Sequence, residues 1–132
     1  MSEETLIETE SPLKFRLWSN RLKRYLGQSP CIGLEKGMYA DIHTLEDNQV
    51  IEQSTGLKDK NGNTVFCGDI LKVKGGYLEV CWCNTLASFM LDDYEYDEDG
   101  EYQGSGNLQT IFATEVSEME IVGNIHEGVL KR

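Results

Sequence analysis

Two histidines and two prolines are all that this 132-residue chain holds of either type. So few histidines leave little room for a His-rich metal site or a proton-shuttling cluster. Neither His43 nor His126 lies in a recognisable catalytic signature. No apolar run approaches the roughly 20 residues that a membrane-spanning helix needs. The opening Met1-Ser2-Glu3-Glu4-Thr5 lacks the basic-then-apolar order of a secretory signal, so a cytoplasmic location and no membrane contact are expected. A Cys-x-x-Cys pair is missing, and with it a thioredoxin-type redox motif. There is no phosphate-binding glycine loop and no dinucleotide fingerprint. Basic charge is scarce from residue 75 onward, where only Lys131 and Arg132 stand against twelve acidic side chains. That half repels a nucleic-acid backbone or an anionic membrane surface.

What the chain does hold is strand and turn chemistry. Its length fits one domain with a modest core, preceded by a loose acidic tail over 1–12. Leu13, Phe15 and Leu17 alternate with Lys14 and Arg16 at the period of a half-buried strand. Trp18, Leu22, Tyr25 and Leu26 recur at helical spacing, and Ser19-Asn20 suits either a helix cap or a turn. Gly27-Gln28-Ser29-Pro30 reads as a turn, and Met38-Tyr39-Ala40 as a short strand within irregular chain. The centre is Thr55–Val73. There Lys60-Asn61-Gly62-Asn63 predicts a tight turn with Gly62 at positive φ, followed by a strand over Asn63–Phe66. A bend at Gly68-Asp69 comes next, with the Asp69 carboxylate accepting backbone N–H groups, and then a strand over Ile70–Val73. Tyr77–Cys83 is the cleanest strand. It sends Leu78, Val80 and Trp82 to the core and the cysteines to the other face, and Leu86–Leu91 pairs back across Asn84-Thr85. Residues 92–107 read as a long, solvated acidic loop. Thr110–Ala113 and Met119–Val122 are apolar runs fit to close a sheet.

Several groupings invite chemistry. Cys81 and Cys83 share a strand face, about 6.6 Å apart along the backbone, and a zinc would need two further ligands. The available Cys31, Cys67, His43 and His126 have no zinc-fold spacing, so free thiols and no metal are expected. Glu95, Asp97, Asp99 and Gly100 imitate the start of a calcium loop, but its twelfth position is Gly106, where a bidentate Glu is required. His126 is expected at the surface or as a cap. Lys14, Arg16, Arg21, Lys23 and Arg24 form a basic face over residues 14–24, either solvated and salt-bridged or available to nucleic acid. The acidic stretch offers the best docking set for a basic protein: Asp92, Asp93, Tyr94, Glu95, Tyr96, Asp97, Glu98, Asp99 and Glu101, with tyrosines adding apolar area to charge.

Thr55-Gly56-Leu57-Lys58-Asp59-Lys60-Asn61-Gly62 followed by Phe66-Cys67-Gly68-Asp69-Ile70 resembles the central signature of the YopX family, small proteins encoded by phages and prophages. Lys14-Phe15-Arg16-Leu17-Trp18 resembles the opening strand of that family, and Met119–Glu127, with Gly123 and Asn124, its closing one. Cys67 stands where the family usually has an acidic residue. The resemblance implies a mainly β fold with a small SH3-like barrel or roll, in which Thr55, Gly56, Leu57, Asp59, Asn61, Gly62, Gly68, Asp69, Ile70, Gly123 and Asn124 are structural. It implies no established activity and a bacterial host cell as the setting. The expected function is therefore a non-catalytic accessory protein, without cofactor, that binds another protein. The alternative is a nucleic-acid-associated module using the basic face. A homodimer formed through an unpaired sheet edge is also expected.

Overall fold

The computed structural model describes residues 14–29, 49–96 and 102–130, with backbone alone for 27–29, 95, 96 and 102–107. The expected tail over 1–12, the strand at Met38–Ala40, and Cys31 and His43 lie outside these residues. Among the described residues ten strands run in chain order: β1 Phe15–Ser19, β2 Arg24–Ser29, β3 Gln49–Lys58, β4 Thr64–Phe66, β5 Asp69–Val73, β6 Gly76–Cys83, β7 Ser88–Tyr96, β8 Tyr102–Thr110, β9 Glu120–Asn124 and β10 Gly128–Val129. A four-residue helix, α1 Ala113–Val116, precedes β9. The fold is mainly β, as the strand signals and the resemblance both anticipate. One sheet has the order β2-β1-β3-β4 and the other β10-β9-β5-β6-β7-β8, with antiparallel pairing throughout.

The first hairpin decides between turn and helix at Ser19-Asn20. The Ser19 hydroxyl accepts Leu22 N–H at 3.1 Å, and the Ser19 carbonyl accepts Lys23 N–H at 2.8 Å. Lys23 takes a positive φ of 57°, which ends any helix and returns the chain as β2. Because β2 continues to Ser29, Gly27-Gln28-Ser29 is strand rather than the turn expected there. The buried face of β1 is also the reverse of the expected one. Arg16 and Trp18 point inward, while Phe15 and Leu17 are only half-buried.

The central signature turns where its Asn-Gly pair predicts, with Gly62 at φ +82°. Asp59, itself buried, organises that turn. Its Oδ1 accepts Asn61 N–H at 3.0 Å and Asn63 N–H at 2.9 Å, and its Oδ2 accepts Ile121 N–H of β9 at 3.0 Å. One carboxylate thus closes a turn and fastens it to the other sheet. The bend after β4 makes a second link, since Gly68 N–H donates to Val80 O at 2.8 Å and Gly68 O accepts Ile125 N–H at 2.9 Å.

The main core lies on one face of the larger sheet, where Val65, Leu71, Leu78, Val80, Leu91 and Val116 form a buried cluster. Each such side chain contributes about 1.5–3 kcal/mol over its exposed state. Ile70, Tyr94 and Val122 form a smaller cluster. Three expectations are corrected along this sheet. Trp82 shares the parity of Leu78 and Val80 but lies one step past the cluster, and is 48% exposed. The acidic stretch is not a continuous loop, because β7 runs through Asp92–Tyr96 and β8 begins at Tyr102. Thr110 ends β8 and Ala113 starts α1, so Thr110–Ala113 is not a strand.

Candidate functional site

The two sheets meet at a buried polar junction assembled from five segments. β1 contributes Arg16 and Trp18, β2 contributes Tyr25, and β3 contributes Glu52. Asp69 enters from the start of β5, and His126 from the turn between β9 and β10. Arg16 Nε donates to Glu52 Oε1 at 2.8 Å, and its Nη2 lies 2.8 Å from Asp69 Oδ1. The same nitrogen reaches the Cys67 carbonyl at 3.4 Å. Tyr25 O–H donates to Glu52 Oε1 at 2.9 Å, and His126 Nε2 meets Glu52 Oε2 at 2.8 Å. The second Asp69 oxygen accepts Phe66 N–H at 2.7 Å, the bend-fixing bond expected of it.

Aromatic rings enclose these charges. The Arg16 guanidinium lies 4.3 Å from the Tyr25 ring centre and 4.6 Å from that of Phe66, within cation–π range. The His126 imidazole stacks on Trp18, with centroids 4.4 Å apart and planes at 5°. Tyr25 meets Trp18 edge-on at 4.9 Å. Asn124 places His126 by accepting the His126 and Glu127 N–H groups, both at 3.0 Å. His126 is therefore a packed member of the junction, with its side chain 11% exposed, and not the surface residue expected.

The electrostatics follow from this enclosure. Burial works against the Arg16 charge, but Asp69 and Glu52 outweigh it and the guanidinium pKa moves up. Burial lifts the Asp69 carboxyl to about 6 against the pull of Arg16 and the Phe66 N–H, so the ion pair is formed at neutral pH. The Tyr25 hydroxyl is raised by burial, with Arg16 opposing and Glu52 adding. Burial and Glu52 push the Cys67 thiol up to about 11. Burial and Glu79 do the same for Cys81, also to about 11. Both thiols are protonated at neutral pH, the opposite of an activated nucleophile.

The other groupings separate. Arg16 leaves the basic face for the interior, while Arg21, Lys23 and Arg24 stay exposed around the β1–β2 turn. Of the docking set, Asp92 and Tyr94 are buried and Asp93 is half-buried. The side chains of Glu95 and Tyr96, and all of Asp97–Glu101, lie outside the described residues. Asp92 sits across the ladder from Glu79, and burial together with Asp92 raises the Glu79 carboxyl to about 6. Cys67, Cys81 and Cys83 carry free thiols. Among the described residues, no group of three or more His, Cys, Asp and Glu is placed to hold a metal ion. A cavity of about 670 Å³ beside α1 sets Lys60, Lys72 and Lys74 against Asp93, Glu115 and Glu118. Its charges balance, so it has no preference for an ion of either sign. No described helix is long and apolar enough to cross a membrane.

Glu52, Tyr25, Trp18 and His126 were the members that sequence reasoning missed. One signal was available, because Arg16 and Trp18 share a strand parity and therefore one face of β1.

The family model for the YopX protein matches residues 14–129. The chain belongs to the YopX family. Its fold is similar to the crystal structure of protein EF1440 from Enterococcus faecalis, with a TM-score of 0.53 at 20% identity, over 89% of this chain and 96% of that one. No curated protein matches the chain. Against this geometry the YopX signature residues act as scaffold. Asp59 holds the turn and β9, Thr55 Oγ1 donates to Val65 O at 2.8 Å, and Asp69 pairs in register with Asn124.

Proposed function

We propose that this YopX protein is a non-catalytic accessory protein of phage or prophage type that binds a basic protein through the acidic end of the β7–β8 hairpin. The observation that carries this reading is the polarity of β7 itself. Its first half, Ser88-Phe89-Met90-Leu91, is uncharged, and the run from Asp92 to Glu101 holds seven carboxylates. Charge at that density opposes compaction and adds nothing to a core, whereas it draws a basic partner and speeds its encounter. The buried junction supports a scaffolding role, since its guanidinium, carboxylates, hydroxyl and imidazole are engaged with one another.

The test is affinity capture from phage-carrying bacterial cells at low and high salt. The variant changes Asp93, Glu95, Asp97, Glu98, Asp99 and Glu101 to amides and spares the buried Asp92. The unchanged protein should retain a basic partner at low salt, and the amide variant should lose it while keeping its melting temperature. Equal retention by both would overturn the reading. Salt-sensitive retention of DNA through Arg21, Lys23 and Arg24 would favour the nucleic-acid alternative.

A further inference from the structure

The sequence contains no Asp, Glu, Lys or Arg from Val80 to Leu91 or from Tyr102 to Thr114, in a chain that is 27% charged. The fold brings the first stretch together with the last part of the second, while Tyr102–Gly104 runs beside the acidic half of β7. β7 pairs with β8 through Met90↔Thr110 and Leu91↔Gln109, and with β6 through Trp82↔Phe89 and Cys83↔Ser88. The corner of the larger sheet where β6 ends, β7 begins and β8 ends is thereby free of charged residues, while Asp69 and Glu127 stand at the same end on the β5 and β9 side. On that corner stand Trp82 at 48% exposure, Leu86 at 60% and Phe112 at 54%. Other exposed apolar residues have a different setting, with Leu22 between Arg21 and Lys23, and Ile125 followed by His126 and Glu127.

Trp82 is held rigidly for an exposed side chain. Its Nε1–H donates to Asn84 Oδ1 at 2.8 Å, and Phe89 meets the indole edge-on at 5.1 Å and 77°. With its polar atom satisfied inside the hairpin, the ring presents apolar surface and has little freedom left to lose on docking. The turn that carries Leu86 is also costly. Ala87 has a φ of +49°, where glycine or asparagine would be less strained. A turn that only faced water would gain nothing from an apolar Leu86-Ala87 tip.

We propose that this charge-free corner is where a second copy of the chain docks, giving a dimer held by Trp82, Leu86 and Phe89. The charge distribution selects that occupant. Two copies with a formal net charge of −11 each repel one another wherever carboxylates face, and least where there are none. A basic partner would be drawn to the other end of β7. Ser88 and Tyr96 bound that strand, and its eight steps span about 27 Å. Docking through the charge-free corners therefore leaves both acidic ends pointing outward. The dimer goes beyond the partner-binding reading and does not require it.

Sedimentation velocity from low micromolar to several hundred micromolar protein tests the proposal. The mass should rise from 15.0 kDa towards twice that value, and added salt should tighten the association by screening repulsion. Trp82 emission should move to the blue and resist acrylamide as concentration rises, while buried Trp18 stays constant. Leu86→Asp, at an exposed turn, should weaken the dimer by about tenfold or more, with unchanged circular dichroism and with an unchanged melting temperature at concentrations where both proteins are monomeric. Trp82→Ser should do the same. A chain that stays monomeric throughout overturns the proposal. So does a dimer indifferent to both substitutions, or one that salt dissolves.

Discussion

Arg16 and Glu52 meet Nε to Oε1 at 2.8 Å across 36 residues of sequence, with both side chains buried. Glu52 shares this arginine with Asp69, so one cation neutralises two acids drawn from different sheets. Removing the cation alone should therefore cost more than the ion pair itself contributes. Arg16→Met should destabilise the fold by about 3–5 kcal/mol, because two buried carboxylates lose their partner. Arg16→Lys should fall between, since an ammonium lacks the fork that reaches both acids. Urea unfolding checks the order. A loss below about 1 kcal/mol for Arg16→Met would show the junction to be solvated.

Acid should act on two carboxyls in particular. Asp69 and Glu79 titrate at about 6 in the folded chain, above their ordinary values of 3.8 and 4.5. A raised folded pKa means that the folded state holds the proton more tightly. The contribution of these groups to stability is thus most favourable below pH 4, and declines as pH rises to about 6 and beyond. Glu79→Gln relieves a like-charge pair across the ladder, so it should stabilise the protein at pH 7.5 by up to about 1 kcal/mol. It should have little effect at pH 4. A carbon-detected NMR titration should place the Asp69 midpoint near 6, and a midpoint at 4 or lower would count against this account.

Two glycines should respond differently to added bulk. Around Gly62, at φ +82°, a Cβ would meet nothing within 4 Å, so only the backbone conformation is strained. Gly62→Val should cost roughly 1–3 kcal/mol and Gly62→Asn little. At Gly68, with φ +97°, a Cβ would come 2.5 Å from Glu52 Oε2. Gly68→Ala should therefore destabilise more than Gly62→Ala and should displace Glu52 from Arg16 and His126. Thermal melts of the two alanine variants decide the point, and equal losses would argue against close approach at Glu52.

Much of the chain from the β3–β4 turn to β7, which spans both sheets, was legible in the sequence. Alternation over Tyr77–Cys83, the Asn61-Gly62 turn and the Gly68-Asp69 bend are local signals, and local signals set β4 to β7. The junction was not legible, because its bonds span 36 residues between Arg16 and Glu52, and 74 between Glu52 and His126. Nothing within a short window marks a glutamate as buried. The apolar alternation of Phe15 and Leu17 even points to the wrong face of β1. The acidic stretch misled for a related reason. Charge density argues for loop, yet the ladder to β6 and the burial of Leu91 and Tyr94 carry Asp92–Tyr96 into a strand.

The stacking of His126 on Trp18 has a consequence for synthesis. Ribosomes deliver the chain from the amino end at about 5–20 residues per second. Glu52 precedes its imidazole partner by 74 residues, an interval of about 4–15 s at that pace. Until the Asn124–Glu127 turn emerges, neither the Trp18 ring nor the Glu52 carboxylate has its imidazole partner. The latch on the first sheet therefore closes only after the Asn124–Glu127 turn has been made.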